Sequence, residues 1–258
     1  MIDAHIQLPG SEHFLDTLDC ALEFSGASGV IALQTVESDL SRHTCLDITK
    51  ESEGFICGIV SQMPWGNDKQ VKVLLDRDER EELIVGYLAD LRKVELSSWL
   101  NDEDIAHNLR LISQRNIPLD LLTTTEQIPY LLPLIDAHPD LHMVLDHCSG
   151  AAVKPCSQWT RAIREAGRRP HVYYRLSGLT PGLHDEAAYA IAESVKPCFD
   201  SALEAFGVER ILYGSGWPDL SSPYPAWLNA VDSLTTELST NEQEAIYGKN
   251  ALDFYGVS

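Results

Sequence analysis

Gly29-Val30-Ile31-Ala32-Leu33-Gln34-Thr35-Val36 is apolar along most of its length and rich in β-branched residues. A strand with one wet face alternates apolar and polar side chains. A strand that stays apolar on both faces is buried on both, as in a parallel sheet covered by helices. Seven more runs of this kind fall at 2–7, 54–61, 83–94, 117–123, 141–149, 171–179 and 210–217. Stretches of helical period separate them, among them 102–115 and 125–137, and two more, 225–238 and 241–255, close the chain. Eight strand–helix units in 258 residues predict an α/β fold, a single (β/α)8 TIM barrel, because such barrels run to about 250 residues as one domain. A doubly wound open sheet is the alternative. No Gly-x-Gly-x-x-Gly turn follows the first strand, which weakens the dinucleotide-binding version of it. No Ser/Gly/Pro-rich linker, repeat or low-complexity tract interrupts the chain, so 1–258 reads as one domain.

Charge narrows the function. The chain carries 19 Lys+Arg against 39 Asp+Glu, a net charge of −20. Binding nucleic acid or an anionic membrane needs a cationic footprint, so neither is an expected partner. Apolar runs fall short of the roughly 18 residues a membrane span needs. Met1 to His5 shows no basic or apolar leader, so no secretion signal is expected. The six cysteines (20, 45, 57, 148, 156, 198) have no Cys-x-x-Cys or zinc-ribbon spacing. They read as reduced, mostly buried thiols of a cytoplasmic protein. Cys148, beside His147, is the candidate for a reactive thiol, with core packing as the plainer role.

In a (β/α)8 barrel the chemistry sits where the strands end. The polar residues there are His5 and Gln7 on strand 1, Gln34 on strand 2, Gln62 on strand 3, and Arg92 and Lys93 on strand 4. Strand 6 offers Asp146, His147 and Ser149; strand 7 Tyr173, Arg175 and Ser177; strand 8 Ser215, Gly216 and Trp217. Period two places Asp3, His5 and Gln7 on one face of strand 1.

Several of these segments carry a resemblance. Ile2-Asp3-Ala4-His5-Ile6-Gln7 resembles the Asp-x-His-x-His strand that opens amidohydrolase-superfamily barrels, and Leu145-Asp146-His147 is similar to their strand-6 Leu-Asp-His. Arg175-Leu176-Ser177-Gly178-Leu179 is similar to a Lys-Leu-Ser-Gly-Leu of one branch, and Gly214-Ser215-Gly216-Trp217-Pro218 to Gly-Ser-Asp-Trp-Pro on strand 8. Tyr247-Gly248-Lys249-Asn250-Ala251, followed by Phe254-Tyr255-Gly256, completes a match in order along the chain. The branch is the amidohydrolase 2 group, which contains sugar and dicarboxylate lactonases. It implies a barrel acting on a small carbonyl compound. In metal-dependent members, histidines and the strand-8 Asp hold a divalent ion that lowers the pKa of bound water. Some lactonases work without metal, with His donors polarising the carbonyl. In both, the Asp takes a proton from water.

The sequence departs from this pattern at two positions. Gln7 stands in place of the second strand-1 His, and Gly216 in place of the Asp. His5 and His147 are the only matching ligands left, too few for a catalytic zinc. No metal and no cofactor are expected. The stretch from Leu8 to Glu12 is also short, which opens the pocket on that side. His5 and His147 are the candidate catalytic residues, each a donor or acid/base near neutral pH. Asp219, on the loop after strand 8, is the candidate replacement carboxylate, although a loop Asp is more often a turn residue. Asp146 precedes His147, so alternation counted from His147 sends it outward, to bond between barrel and helices. Arg92 and Arg175 present forks suited to a carboxylate, with a buried ion pair as the alternative for each. Gln7, Tyr174 and Trp217 complete the substrate-binding candidates, the aromatics having core packing as their alternative.

Three functions fit, in this order. The first is a metal-independent, lactonase-like hydrolase in which His5 and His147 polarise the carbonyl. The second is a non-hydrolytic isomerase, cyclase or lyase on the same scaffold. The third is an inactive barrel that binds a ligand. Each implies a small molecule as partner, with an anionic one among the options; a homo-oligomer is left open by the sequence.

Overall fold

The structure, a computed structural model, describes residues 1–8, 14–23, 25–34, 36, 38–146, 157–178, 188–218 and 223–257. Along the chain run β1 (Ile2–Leu8), α1 (Phe14–Leu22), β2 (Gly29–Gln34), α2 (Asp39–Glu51), β3 (Ile56–Gln62), α3 (Asp68–Asp78), β4 (Ile84–Asp90), α4 (Leu96–Leu100), α5 (Glu103–Gln114) and β5 (Leu119–Leu122). Then come α6 (Ile128–Ala137), β6 (Met143–Asp146), α7 (Ser157–Gly167), β7 (Val172–Leu176), α8 (Ala188–Phe206), β8 (Ile211–Tyr213), α9 (Tyr224–Thr235), α10 (Thr240–Glu244) and α11 (Asn250–Tyr255). Side-chain caps start several helices. The Ser38 hydroxyl accepts from Ser41 N–H before α2, and the Asp102 carboxylate accepts from Asp104 and Ile105 before α5. Both satisfy donors that the first helical turn leaves open.

All eight strands are parallel and paired in chain order. The ring closes just past β8, where Gly216 N–H donates to the His5 carbonyl (2.8 Å) and Gln7 N–H to the Trp217 carbonyl (2.7 Å). Asp3 fastens this seam. Its Oδ1 accepts from His5 N–H (3.0 Å) and Ser215 N–H (2.9 Å), and its Oδ2 from the Tyr224 hydroxyl on α9 (3.0 Å). Burial raises the Asp3 pKa, and these hydrogen bonds pull it back toward the charged form.

Two apolar layers follow from strand alternation. Ile6, Leu8, Ala32, Leu119, Leu121, Tyr174 and Tyr213 pack outward, against the helices. Ile2, Ala4, Ile31, Leu33, Val60, Leu88, Leu122, Val144 and Leu212 fill the barrel, joined by Ala251, Phe254 and Tyr255 of α11. The last helix therefore plugs the barrel at the end where its strands begin. Gly86 makes room for it: a Cβ there would stand 3.2 Å from the Tyr255 ring and 3.3 Å from the Pro118 carbonyl.

Some strands are shorter than the apolar runs that announce them, since β4 ends at Asp90 and β8 at Tyr213, while β1 runs one residue further, to Leu8. The closing helix expected at 241–255 is interrupted by a π-helical turn, Ala245–Lys249. Cys45 and Cys198 are buried thiols, with burial pushing their pKa values up to about 11 and 12. Cys20 is exposed, contrary to the reading of mostly buried thiols, and Cys148 lies outside the described residues. Among the described residues no helix is long and apolar enough to cross a membrane.

Tyr255→Phe tests the plug. It removes a hydroxyl that donates to Asp120 inside the barrel and leaves a buried acceptor short of a partner. A loss of about 1–3 kcal/mol is expected, read as a lower urea midpoint at unchanged slope.

Candidate active site

One guanidinium organises the interior. Arg175 of β7 pairs in register with Leu212, an interior residue, so its side chain runs inside the barrel, where it is fully buried. Its Nη1 donates to Asp146 Oδ1 on β6 (2.5 Å) and Asp120 Oδ2 on β5 (2.8 Å). Its Nη2 donates to the Tyr255 hydroxyl, which in turn bonds the Asp120 carboxylate (2.7 and 2.8 Å). Burial alone would lower the Arg175 pKa, but the charges of Asp120 and Asp146 outweigh it and push it up. Burial raises Asp120, with Arg175 and Tyr255 pulling the other way. It holds Asp146 well above the ordinary carboxylate value, opposed by Arg175 and reinforced by the like charge of Asp120. Two carboxylates around one cation leave a surplus negative charge, and Asp146 is the one with fewer donors to hold it.

His5 meets the same guanidinium. Its Nδ1 lies 3.3 Å from Arg175 Nη1. A guanidinium has donors only, and the two N–H groups of Nη1 also serve Asp146 and Asp120, so this longer, shared contact favours Nδ1 as the acceptor and the imidazole proton on Nε2. Chain geometry makes the contact possible. The β1–β2 register shifts between Asp3 and Ile6, and this bulge turns His5 inward while Asp3 faces the helices. Strict period two, which put Asp3, His5 and Gln7 on one face, fails there. Beyond the bulge Gln7 pairs with Leu33, an interior residue, so it points inward near the rim, half-buried.

Other expected residues separate into two groups. Arg92 stands past the end of β4, half-exposed and chelating Asp90 (2.8 and 2.7 Å), and its charge reaches Asp146. Tyr174 belongs to the outer layer instead of a pocket wall, with its ring stacked 5.4 Å from Phe206 of α8. Trp217 leans on Phe14 of α1, ring centroids 5.5 Å apart, because it bridges to the outward Ile6. Gln34 also turns outward, its amide oxygen accepting from the Ser61 hydroxyl (2.5 Å), which bonds the buried Arg42–Asp78 pair. His147 and Asp219 lie outside the described residues. Asp146, expected outside the barrel, faces inward: it pairs with Leu122 and shares a face with Val144, both interior residues. Asp120 went unmarked although it is a lone carboxylate in the apolar run Leu119-Asp120-Leu121-Leu122, the available signal for a buried partner.

A divalent ion fits this donor set poorly. A metal-ligating imidazole normally donates its second ring N–H to a carboxylate or carbonyl, whereas the second nitrogen of His5 accepts from a buried cation. Ligation through Nε2 would then require an imidazolate. Gln7 offers a neutral amide, and Gly216 offers no side chain. Among the described residues no three His, Cys, Asp or Glu side chains gather where a metal could bind.

The amidohydrolase profile Amidohydro_2 matches residues 11–257. Over 255 residues the chain is 24% identical to the L-fucono-1,5-lactonase of Burkholderia ambifaria, covering 93% of this chain and 84% of that one. It is 26% identical over 177 residues to the enzyme of the same name from Burkholderia multivorans, a match covering 64% of this chain and spanning only 60% of that relative's length. A crystal structure of an amidohydrolase from Burkholderia multivorans, described with bound zinc, superposes with a TM-score of 0.90 at 22% identity, covering 100% of this chain and 99% of that one. At that identity the likeness shows the fold.

Replacing Arg175 by Met should destabilise the protein by about 3–5 kcal/mol, because Asp120 and Asp146 would be buried without their counter-charge. With both carboxyls raised in the folded state, protonation favours that state. The loss should therefore be smaller at pH 5 than at pH 8 in chemical denaturation, and a pH-independent loss would contradict the ion cluster.

Proposed function

The chain belongs to the amidohydrolase family, and from that premise we propose that it is a metal-independent, lactonase-like hydrolase of a small lactone or related carbonyl compound. The observation that carries this reading is the contact of His5 Nδ1 with Arg175 Nη1. It makes Nε2–H the donor of the ring, and a donor is what a developing oxyanion needs when no metal supplies positive charge. His147, directly after β6, is assigned as the second donor. The relatives named L-fucono-1,5-lactonase support the substrate class.

In this mechanism the lactone carbonyl lies against the imidazole donors, and water adds to the carbonyl carbon. Breakdown of the adduct expels the ring oxygen and yields the open hydroxy acid. Both donors act more strongly in the transition state than in the ground state, because charge accumulates on the oxygen only as water adds. Arg92 at the rim and Gln7 beside His5 are assigned to hold the polar groups of the substrate. Gly216 is the observation that favours the second reading, a non-hydrolytic isomerase, cyclase or lyase, since β8 carries no carboxylate for water.

A panel of sugar and dicarboxylate lactones assayed by acid release tests the proposal. Turnover is expected, unchanged by EDTA, with His5→Ala and His147→Ala each lowering kcat/KM at least about 100-fold. Loss of activity on chelation would remove the metal-free mechanism. Full activity in both variants would remove the site. Binding without acid release would move the assignment to non-hydrolytic chemistry.

A further inference from the structure

With Gly216 just past β8, a hydrolase built on this barrel lacks a carboxylate at the position from which water would be activated. Among the described residues the barrel interior buries two others fully, Asp120 and Asp146, while Asp90 of β4 is partly exposed and held by Arg92; the two buried ones are bonded differently. Asp120 is saturated: both oxygens take the Tyr255 hydroxyl, and Oδ2 also takes Arg175. Asp146 receives Arg175 on Oδ1 alone. Its Oδ2 is buried with no hydrogen-bond partner among the described residues. Leaving a buried acceptor unpaired is costly, so this oxygen is a place for a donor that the described residues do not supply.

Position supports the same reading. Asp146 is the last residue of β6, at the end of the barrel where chemistry is placed. It shares one donor atom, Arg175 Nη1, with His5 Nδ1. The Asp146 carboxylate and the His5 imidazole therefore meet at a single guanidinium nitrogen. A lone buried carboxylate has no such neighbour.

We propose that Asp146, in place of a strand-8 carboxylate, is the catalytic base, and that the donor missing at its Oδ2 is the nucleophilic water. This inference rests on the lactonase reading. Oδ2 takes one proton from the water while the water oxygen bonds to the carbonyl carbon, and the carbonyl π pair moves onto its oxygen against His5 Nε2–H. The adduct then re-forms its C=O bond and breaks the ring C–O bond, and the departing alkoxide takes the proton back from Asp146. Lactone and water are consumed, a hydroxy acid is released, and the carboxylate is regenerated. Arg175 keeps Asp146 oriented throughout and transfers no proton.

The test uses the full chain and two variants. Asp146→Asn retains a carbonyl for Arg175 Nη1 and leaves the guanidinium one carboxylate, Asp120, so charge stays balanced; its fold is checked by circular dichroism and melting temperature. Wild-type turnover on the lactone panel with kcat at least about 100-fold lower in Asp146→Asn is the expected result. In Asp146→Ala, 0.1–1 M formate (roughly the range needed for a weakly held small anion) should restore part of kcat by filling the vacated volume with a carboxylate. A purely structural role would not give that rescue. Near-wild-type kcat in Asp146→Asn, or a loss in both variants that formate leaves untouched, overturns the inference while the lactonase reading stands. Unfolding of both variants assigns Asp146 to the support of Arg175 and also overturns it. No turnover by the wild type on any lactone removes the lactonase reading, and the inference with it.

Discussion

The Arg175 guanidinium, fully buried between Asp120 and Asp146, is the contact on which the rest of the barrel interior depends. Four segments distant in sequence end on this one group: β5 and β6 through their carboxylates, β1 through His5, and α11 through Tyr255. Moving charges out of water is expensive, and attraction between them repays that cost only with good geometry and further hydrogen bonds. The Tyr255 hydroxyl supplies those bonds for Asp120. Among the described residues none is supplied for the second oxygen of Asp146, so the two carboxylates of the cluster are satisfied unequally.

That asymmetry links stability to chemistry. An apolar barrel interior of the same volume would hold the fold with no desolvation cost, and Ile31, Leu33, Val60 and Leu212, which share the interior with the cluster, are of that kind. Among the described residues the buried polar groups of the interior gather around Arg175. There Arg175 decides which nitrogen of His5 carries the proton, and with it whether the ring presents a donor or a ligand. Arg in place of the Lys of the resembling motif adds a second arm: Nη1 meets the two carboxylates and the imidazole while Nη2 reaches Tyr255, whereas an ammonium is a single point charge.

Much of the fold was legible in the primary structure because burial leaves a periodic trace. Both-face apolar runs such as Val30 to Leu33 announced parallel strands, and their number announced the barrel. The site was legible in part. His5, Gln7 and Arg175 were marked by strand position and by motif, and they do face the interior. Tyr174 and Trp217 were marked as well, but each sits one residue out of phase with the inward set and packs on Phe206 or Phe14. Asp146 was placed on the wrong face because the alternation was counted from its neighbour His147 instead of from Val144. The bulge in β1 has the same effect at Asp3, since one extra residue reverses every face assignment across it.

The sequence by itself determined the architecture, the net negative charge, and the departure from the resembling motif at Gln7 and Gly216. These follow from residue type and local period, which do not depend on partners far along the chain. Only the tertiary structure decided that Asp120, Asp146, Arg175, His5 and Tyr255 form one cluster. Residues separated by 29 to 170 positions from Arg175 meet it, and no local pattern encodes such a meeting. It also decided the tautomer of His5, because a proton is placed by whatever faces the ring, and Arg175 comes to face it only when the barrel closes.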